Sequence, residues 1–120
     1  MKDLAPNESD SAYLFVDVER TAYPVCLHLR GELDLGSVKL VSDALMRLEL
    51  EGADPVIVDL SEVSFMDCSG LSVLVGAFNR SCRDDRELLI VNARPAVRRV
   101  FSLTGCGDIL ADPAMEPITA

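Results

Sequence analysis

Four consecutive residues combine groups that could carry chemistry: Asp67, Cys68, Ser69 and Gly70, between an apolar segment and an amphipathic pattern. An acid, a thiol and a hydroxyl in this order could contribute a nucleophile, a metal ligand or an anion-binding helix start. Apolar residues then recur at helical spacing, which places the tetrapeptide at the first turn of a helix. The chemistry of Cys68 therefore depends on the residues that the fold brings to it.

The residues needed for catalysis by Cys68 are missing from the sequence. A cysteine phosphatase needs an arginine six residues further on, and position 74 is Leu. A thiol hydrolase needs a histidine, and the single histidine, His28, falls within an alternating strand pattern. Asp67 opposes formation of a neighbouring thiolate, and one glycine without a lysine does not make a phosphate-binding loop. We therefore predict that the protein is not an enzyme.

Composition restricts the protein's partners and its cellular compartment. The four cysteines form no CxxC pair, so we expect reduced thiols, no metal site and no cofactor. A net charge of −9 argues against binding nucleic acid or an anionic membrane surface. No apolar run reaches the roughly 20 residues of a membrane span, and residues 1–10 lack the apolar core of a signal peptide. These features favour a cytoplasmic protein.

The elements that must position the tetrapeptide follow from the apolar periodicity. Residues 12–19 and 24–30 read as two strands, and the short connection between them requires an antiparallel hairpin. Apolar runs at 55–60 and 87–92 are typical of buried strands, and residues 108–110 are a candidate short last strand. Helices are predicted between these strands and after the last run, on three apolar sets: Val38, Val41, Leu45 and Leu48; Leu71, Leu74, Val75 and Phe78; Val97, Val100 and Phe101. Ser37 or Gly36 can open the first helix, and Pro95 the third.

This order predicts a single α/β domain with a small mixed sheet: an N-terminal antiparallel hairpin, then β-α-β units with helices packed on the sheet. We assign the domain to residues 11–112, with flexible tails at 1–10 and 113–120. Function in such folds gathers where strands end and helices begin. Two loops qualify, residues 31–37 with Glu32 and Asp34, and residues 61–70 with Glu62 and the tetrapeptide.

One alternative is a receiver-like domain in which Asp59 accepts phosphate at the end of the buried strand 55–60. Its length, acidity and α/β alternation suit that class. Receiver domains also use a lysine after a late strand, and the only lysines here are Lys2 and Lys39.

Three segments together carry a family resemblance: LRGELDLGS (29–37), VIVDLSEVSFMDCSGLSVLVGAF (56–78) and VNARPAVRRVFSLTGCGDIL (91–110). In this order they resemble the STAS domain of bacterial anti-sigma-factor antagonists over about four-fifths of the chain. The resemblance implies the STAS fold and a protein that binds an anti-sigma factor, also a serine kinase, and so releases a sigma factor for transcription. A STAS module within a larger sensory complex is a further alternative.

In that family the kinase phosphorylates the serine directly after the signature aspartate, the complex dissociates, and a phosphatase reverses the modification. Cys68 occupies this acceptor position, and Ser69 becomes the candidate acceptor. The resemblance assigns partner binding to seven residues: Glu32, Asp34, Ser37, Asp67, Cys68, Ser69 and Gly70.

Overall fold

The computed structural model describes residues 14–21 and 23–111. The predicted tails at 1–10 and 113–120, and the first two residues of the predicted first strand, lie outside the described residues. The strands are β1 (Leu14–Glu19), β2 (Val25–Leu33), β3 (Val56–Met66) and β4 (Leu88–Val91). The helices are α1 (Val38–Leu50), α2 (Cys68–Arg83) and α3 (Pro95–Leu103), followed by a short 3-10 helix (Gly107–Ile109).

The four strands form one mixed sheet in the order β1-β2-β3-β4. β1 pairs antiparallel with β2, whereas β2–β3 and β3–β4 are parallel. The antiparallel pair is the predicted hairpin, and the parallel pairs are those that helical crossovers require. The predicted fold class is therefore confirmed.

One side of the sheet and the three helices share a single hydrophobic core. Leu27, Val58 and Ile90, from three adjacent strands, are fully buried. The helices contribute apolar residues to the same cluster: Val41, Leu45, Leu48, Leu71, Leu74, Val97 and Phe101. Strand residues of the opposite parity, such as His28 and Arg30, lie on the other side and are half-buried or exposed. We call that side the outer face.

Two strands run further than the sequence predicts. β2 continues to Leu33 and β3 to Met66, so residues 31–33 and 61–66 are strand and not loop. The buried residues Leu60, Val63 and Met66 are spaced by three, because irregularities in the β2–β3 pairing shift the register. A strand with one buried face has a period of two, and this segment lacks that period, so its sequence does not indicate a strand. Consequently, Asp59 does not end its strand but lies well inside it.

Two other predictions need correction. Phe78 was expected to be buried on the sheet with Leu74; Leu74 is fully buried, but Phe78 is half-buried at the edge of the core. Residues 108–110 form no strand: a 3-10 helix leads to Leu110, which makes a single parallel bridge with Ile90.

Within the described part of the chain, none of the helices is both long and apolar enough to cross a bilayer.

Candidate functional site

The two segments that carry the predicted site residues meet where β2 and β3 end. Leu33 and Met66 are paired in the last register position of these strands. The backbone N–H of Asp67 donates to the carbonyl of Leu33 at 3.2 Å. The turn 34–37 and the first turn of α2 therefore start side by side, although 30 residues separate them in sequence.

Asp67 ties these two segments together through both of its carboxylate oxygens. As the N-cap of α2, its Oδ1 accepts a hydrogen bond from the backbone N–H of Gly70 at 3.0 Å. Its Oδ2 accepts from the backbone N–H of Leu35 in the β2–α1 turn at 3.3 Å. The side chain thus satisfies a free donor at the helix start and also fixes the neighbouring turn.

Asp34 and Ser37 organise the turn itself. Asp34 Oδ1 accepts from the backbone N–H of Gly36 at 3.0 Å. The Ser37 hydroxyl donates to the carbonyl of Glu32 at 2.8 Å and accepts from the backbone N–H of Asp34 at 3.0 Å. Ser37 is buried, so its hydroxyl holds the loop in shape and is not presented to a partner.

Cys68 and Ser69 differ in their surroundings, although they are adjacent. Cys68, the first residue of α2, is exposed. Ser69 is half-buried and lines an open groove of about 580 Å³ between α1 and α2, together with Val38, Lys39, Ser42, Asp43, Ser72 and Val73. Successive helical residues are rotated by about 100°, which accounts for the difference. Cys68 is therefore accessible to solvent, whereas Ser69 belongs to the lining of the groove.

The seven predicted residues accordingly divide by exposure. Glu32 and Cys68 are exposed, Asp34, Asp67 and Ser69 are half-buried, and Ser37 and Gly70 are buried. The last two can shape the site but offer little surface to another molecule.

Sequence reasoning missed two exposed apolar side chains at this end of the sheet. Leu35, whose backbone N–H donates a hydrogen bond to Asp67, is 75% exposed. Phe65 is paired with Glu32 across β2 and β3 and is 49% exposed. Large apolar side chains grouped at a polar surface are typical of protein–protein contacts. The signal was present in the sequence as an apolar residue, Leu35, inside a turn-rich segment.

Asp59, the acceptor in the receiver-like alternative, lies within β3 and is hydrogen-bonded through both carboxylate oxygens. Its Oδ1 accepts from the backbone N–H of Ser61 at 3.0 Å and from Asn92 at 3.2 Å, and its Oδ2 lies 3.0 Å from His28 Nδ1. Burial raises the pKa of Asp59, but the hydrogen bonds outweigh it and hold the pKa below its usual range. Among the described residues, no cluster of three or more His, Cys, Asp or Glu side chains is arranged to hold a metal ion.

Comparison with known proteins places this architecture in a family. Residues 15–118 match the STAS domain. The chain belongs to the STAS-domain family. This match spans most of the chain, including the end of β2 and the start of α2 where the site lies.

Similar STAS proteins are named as anti-sigma factor antagonists. The anti-sigma-B factor antagonist of Bacillus subtilis is 33% identical over 95 residues, which cover 79% of this chain and 86% of that protein. The anti-sigma-B factor antagonist of Staphylococcus epidermidis is 34% identical over 80 residues, covering 67% and 74%. Both relatives are matched over more than two-thirds of their own length.

Solved structures share the fold of this STAS domain. The anti-sigma factor antagonist SpoIIAA in its unphosphorylated form superimposes with a TM-score of 0.70 at 25% identity, over 88% of this chain and 96% of that one. An anti-sigma factor antagonist from Mycobacterium paratuberculosis gives a TM-score of 0.75 at 23% identity, over 87% and 86%. The second comparison supports the fold alone.

Proposed function

We propose that this STAS domain binds an anti-sigma factor and thereby frees a sigma factor for transcription. The observation that carries the proposal is the match to anti-sigma-B factor antagonists across most of both chains. The protein acts by binding and not by catalysis. Because its target controls transcription, we assign it to the cytoplasm, with neither nucleic acid nor a membrane as its own ligand.

The proposed contact surface is the end of the sheet where Asp67 joins the β2–α1 turn to α2. Glu32, Asp34, Asp67 and Cys68 supply the polar part of this surface. Leu35 supplies an apolar side chain that a partner's pocket can bury, and burial of a leucine is worth about 1.5–3 kcal/mol. An apolar centre with a polar rim is the arrangement that protein–protein interfaces favour.

Kinase control of this surface is expected to differ from that in the family. Position 68 carries a thiol, which a serine kinase does not ordinarily phosphorylate. Ser69 carries a hydroxyl, but it lines the groove between α1 and α2 and is rotated by about 100° around the helix axis from Cys68. A misaligned acceptor loses much of the rate that positioning provides. We therefore propose that a partner kinase binds this protein without inactivating it, and a phosphatase becomes a partner only if Ser69 accepts phosphate.

Binding measurements with candidate anti-sigma factors test the proposal. Kinase-type anti-sigma factors from the same genome would be titrated by calorimetry, alone and in complex with their sigma factors. We expect one of them to bind and to release its sigma factor. Failure of every such candidate to bind or to release sigma would contradict the proposal.

A pair of leucine variants tests the location of the surface. Leu35→Ala should weaken binding about tenfold, equivalent to about 1.4 kcal/mol. Leu50→Ala is the matched control, because Leu50 is 86% exposed and lies at the far end of α1. It should leave the affinity within about twofold. Equal effects of the two substitutions would place the interface elsewhere.

A further inference from the structure

A chain of polar side chains runs across the outer face of the sheet, from β1 to the residue that follows β4. Glu19 on β1 contacts His28 on β2, His28 contacts Asp59 on β3, and Asp59 accepts from Asn92, which directly follows β4. The distances are 3.0 Å from His28 Nε2 to Glu19 Oε1 and 3.0 Å from His28 Nδ1 to Asp59 Oδ2. His28, which the sequence places in an alternating strand pattern, is the central residue of this set of polar contacts.

The positions of the two carboxylates indicate the protonation state of His28. Ionised carboxylates only accept hydrogen bonds, so each ring nitrogen must carry a hydrogen to bond its partner. A neutral imidazole has one N–H, whereas the imidazolium ion has two. Both contacts can therefore be hydrogen bonds at the same time only when His28 is protonated.

Two other titratable groups lie near His28 on the outer face, and neither supplies a positive charge between Glu19 and Asp59. On β1, Asp17 lies opposite His28 and adds a third carboxylate. On β2, the Cys26 sulfur is 3.9 Å from Nδ1, and burial, followed by Asp59 and Glu19, raises the pKa of this thiol.

Arg30 of β2, on the same outer face, contacts two other residues there. It lies over the Phe15 ring at 4.4 Å, and its Nε is 3.9 Å from Glu62 of β3. The arginine therefore leaves His28 as the cation between Glu19 and Asp59.

The environment favours the charged imidazole. The hydrogen bond to Glu19 raises the pKa of His28 most; burial opposes this shift, and Asp59 adds to it.

The two carboxylates differ in how readily they can turn away from His28. Asp59 has 17% of its side chain exposed and keeps donors from Ser61 and Asn92, whereas Glu19 is 48% exposed.

We propose that protonated His28 links the edge strand β1 to the centre of the sheet by binding Glu19 and Asp59 at once, and that this link opens when the proton is lost. We call this proton-dependent link the clasp. When the proton leaves, a ring nitrogen lone pair faces a carboxylate, and Glu19 turns into solvent. β1 then loses a side-chain tie to β2. The clasp's contribution to stability is fully present below about pH 6.5, the ordinary imidazole pKa, and is lost as the pH rises through the folded-state pKa.

Titration of the single imidazole by proton NMR tests the clasp directly, because His28 is the only histidine in the chain. The wild-type protein should titrate above about pH 6.5. Glu19→Gln and Asp59→Asn should each move the midpoint to lower pH. Glu62→Gln is the control, since Glu62 is on the same face but approaches Arg30, and it should leave the midpoint unchanged. A wild-type midpoint at or below about 6.5, or one that Glu19→Gln does not lower, would overturn the proposal.

Amide hydrogen exchange tests the mechanical consequence in the wild-type chain. Protection factors, which correct for the intrinsic effect of pH, should fall in β1 as the pH passes the measured midpoint, and those of β4 should not. In His28→Gln, protection of β1 should be as weak below the wild-type midpoint as it is above it. Unchanged β1 protection across the midpoint would mean that the proton does not control this strand.

Discussion

Gly70 in the first turn of α2 lies directly against Leu33 at the end of β2. A methyl group at Gly70 would stand 2.6 Å from the Leu33 carbonyl oxygen and 2.7 Å from its Cγ. The two segments of the proposed site are therefore in contact because residue 70 has no side chain. Asp67 then completes the junction from the same turn of the helix.

Gly70→Ala should destabilise the protein by about 1–3 kcal/mol, because the new methyl group forces strand and helix apart. Gly76→Ala is the matched control in the same helix. A methyl group there would meet only the end of the Arg80 side chain at 3.6 Å, an ordinary contact. It should stabilise the protein by about 0.5–1 kcal/mol through helix propensity. Chemical denaturation measures both values, and a neutral Gly70→Ala would show that the junction can relax.

Asp67→Ala should cost about 0.5–2 kcal/mol, because the helix loses its cap and the turn loses its link through Leu35. Asp67→Asn retains one oxygen acceptor and should cost less. Asp43→Ala serves as a control, since among the described residues Asp43 pairs with the exposed Lys39, an interaction worth about 0.3–0.5 kcal/mol. Urea unfolding midpoints would compare the three. Equal losses for Asp67→Ala and Asp43→Ala would contradict a structural role for the cap.

Phe101→Ala should be far more damaging than Phe78→Ala. Phe101 is fully buried in the core, and its truncation should cost about 3–5 kcal/mol. Phe78 is only half-buried, so less apolar surface returns to water and the loss should be clearly smaller. Thermal and urea unfolding of the two variants would rank them. The opposite ranking would mean that α2 and not α3 carries the main aromatic anchor.

Phosphorylation should be absent from the wild-type chain and restored by Cys68→Ser, because only the acceptor group at position 68 is lacking. Ser69→Ala should behave like the wild type. Intact mass with site mapping, after incubation with the bound kinase and ATP, separates the outcomes. Strong phosphorylation of the wild type that Ser69→Ala abolishes would show that the acceptor has moved by one residue.

Local sequence was sufficient for the elements whose signals lie within one turn or one strand. The hairpin, the three helices and the start of α2 within the tetrapeptide 67–70 follow from apolar periodicity, the short connection between the first two strands, and Pro95. The fold class also followed, because strand-helix-strand order with short links permits only parallel pairing. The family resemblance predicts the proposed site at this end of the sheet from its motifs.

The extent of the strands depended on pairing that the sequence did not reveal. Residues 61–66 became strand because Arg30–Leu33 offered hydrogen-bonding partners across two register irregularities. Asp59 was expected at a strand end for the same reason and proved to lie within the sheet. Strand ends are set by the neighbouring strand, so a polar, aperiodic segment can remain paired.

The sequence by itself determined the order of the four main strands and three helices, most of the helix residues in the core and the residue types at the proposed site. Only the tertiary structure decided that Leu35 is exposed beside Asp67, that Ser69 lines a groove while Cys68 is accessible to solvent, and that His28 lies between two carboxylates. Each of these depends on residues about 30 positions apart or on different strands. Burial and hydrogen bonding at such positions come from the packing of whole elements, which local periodicity does not encode.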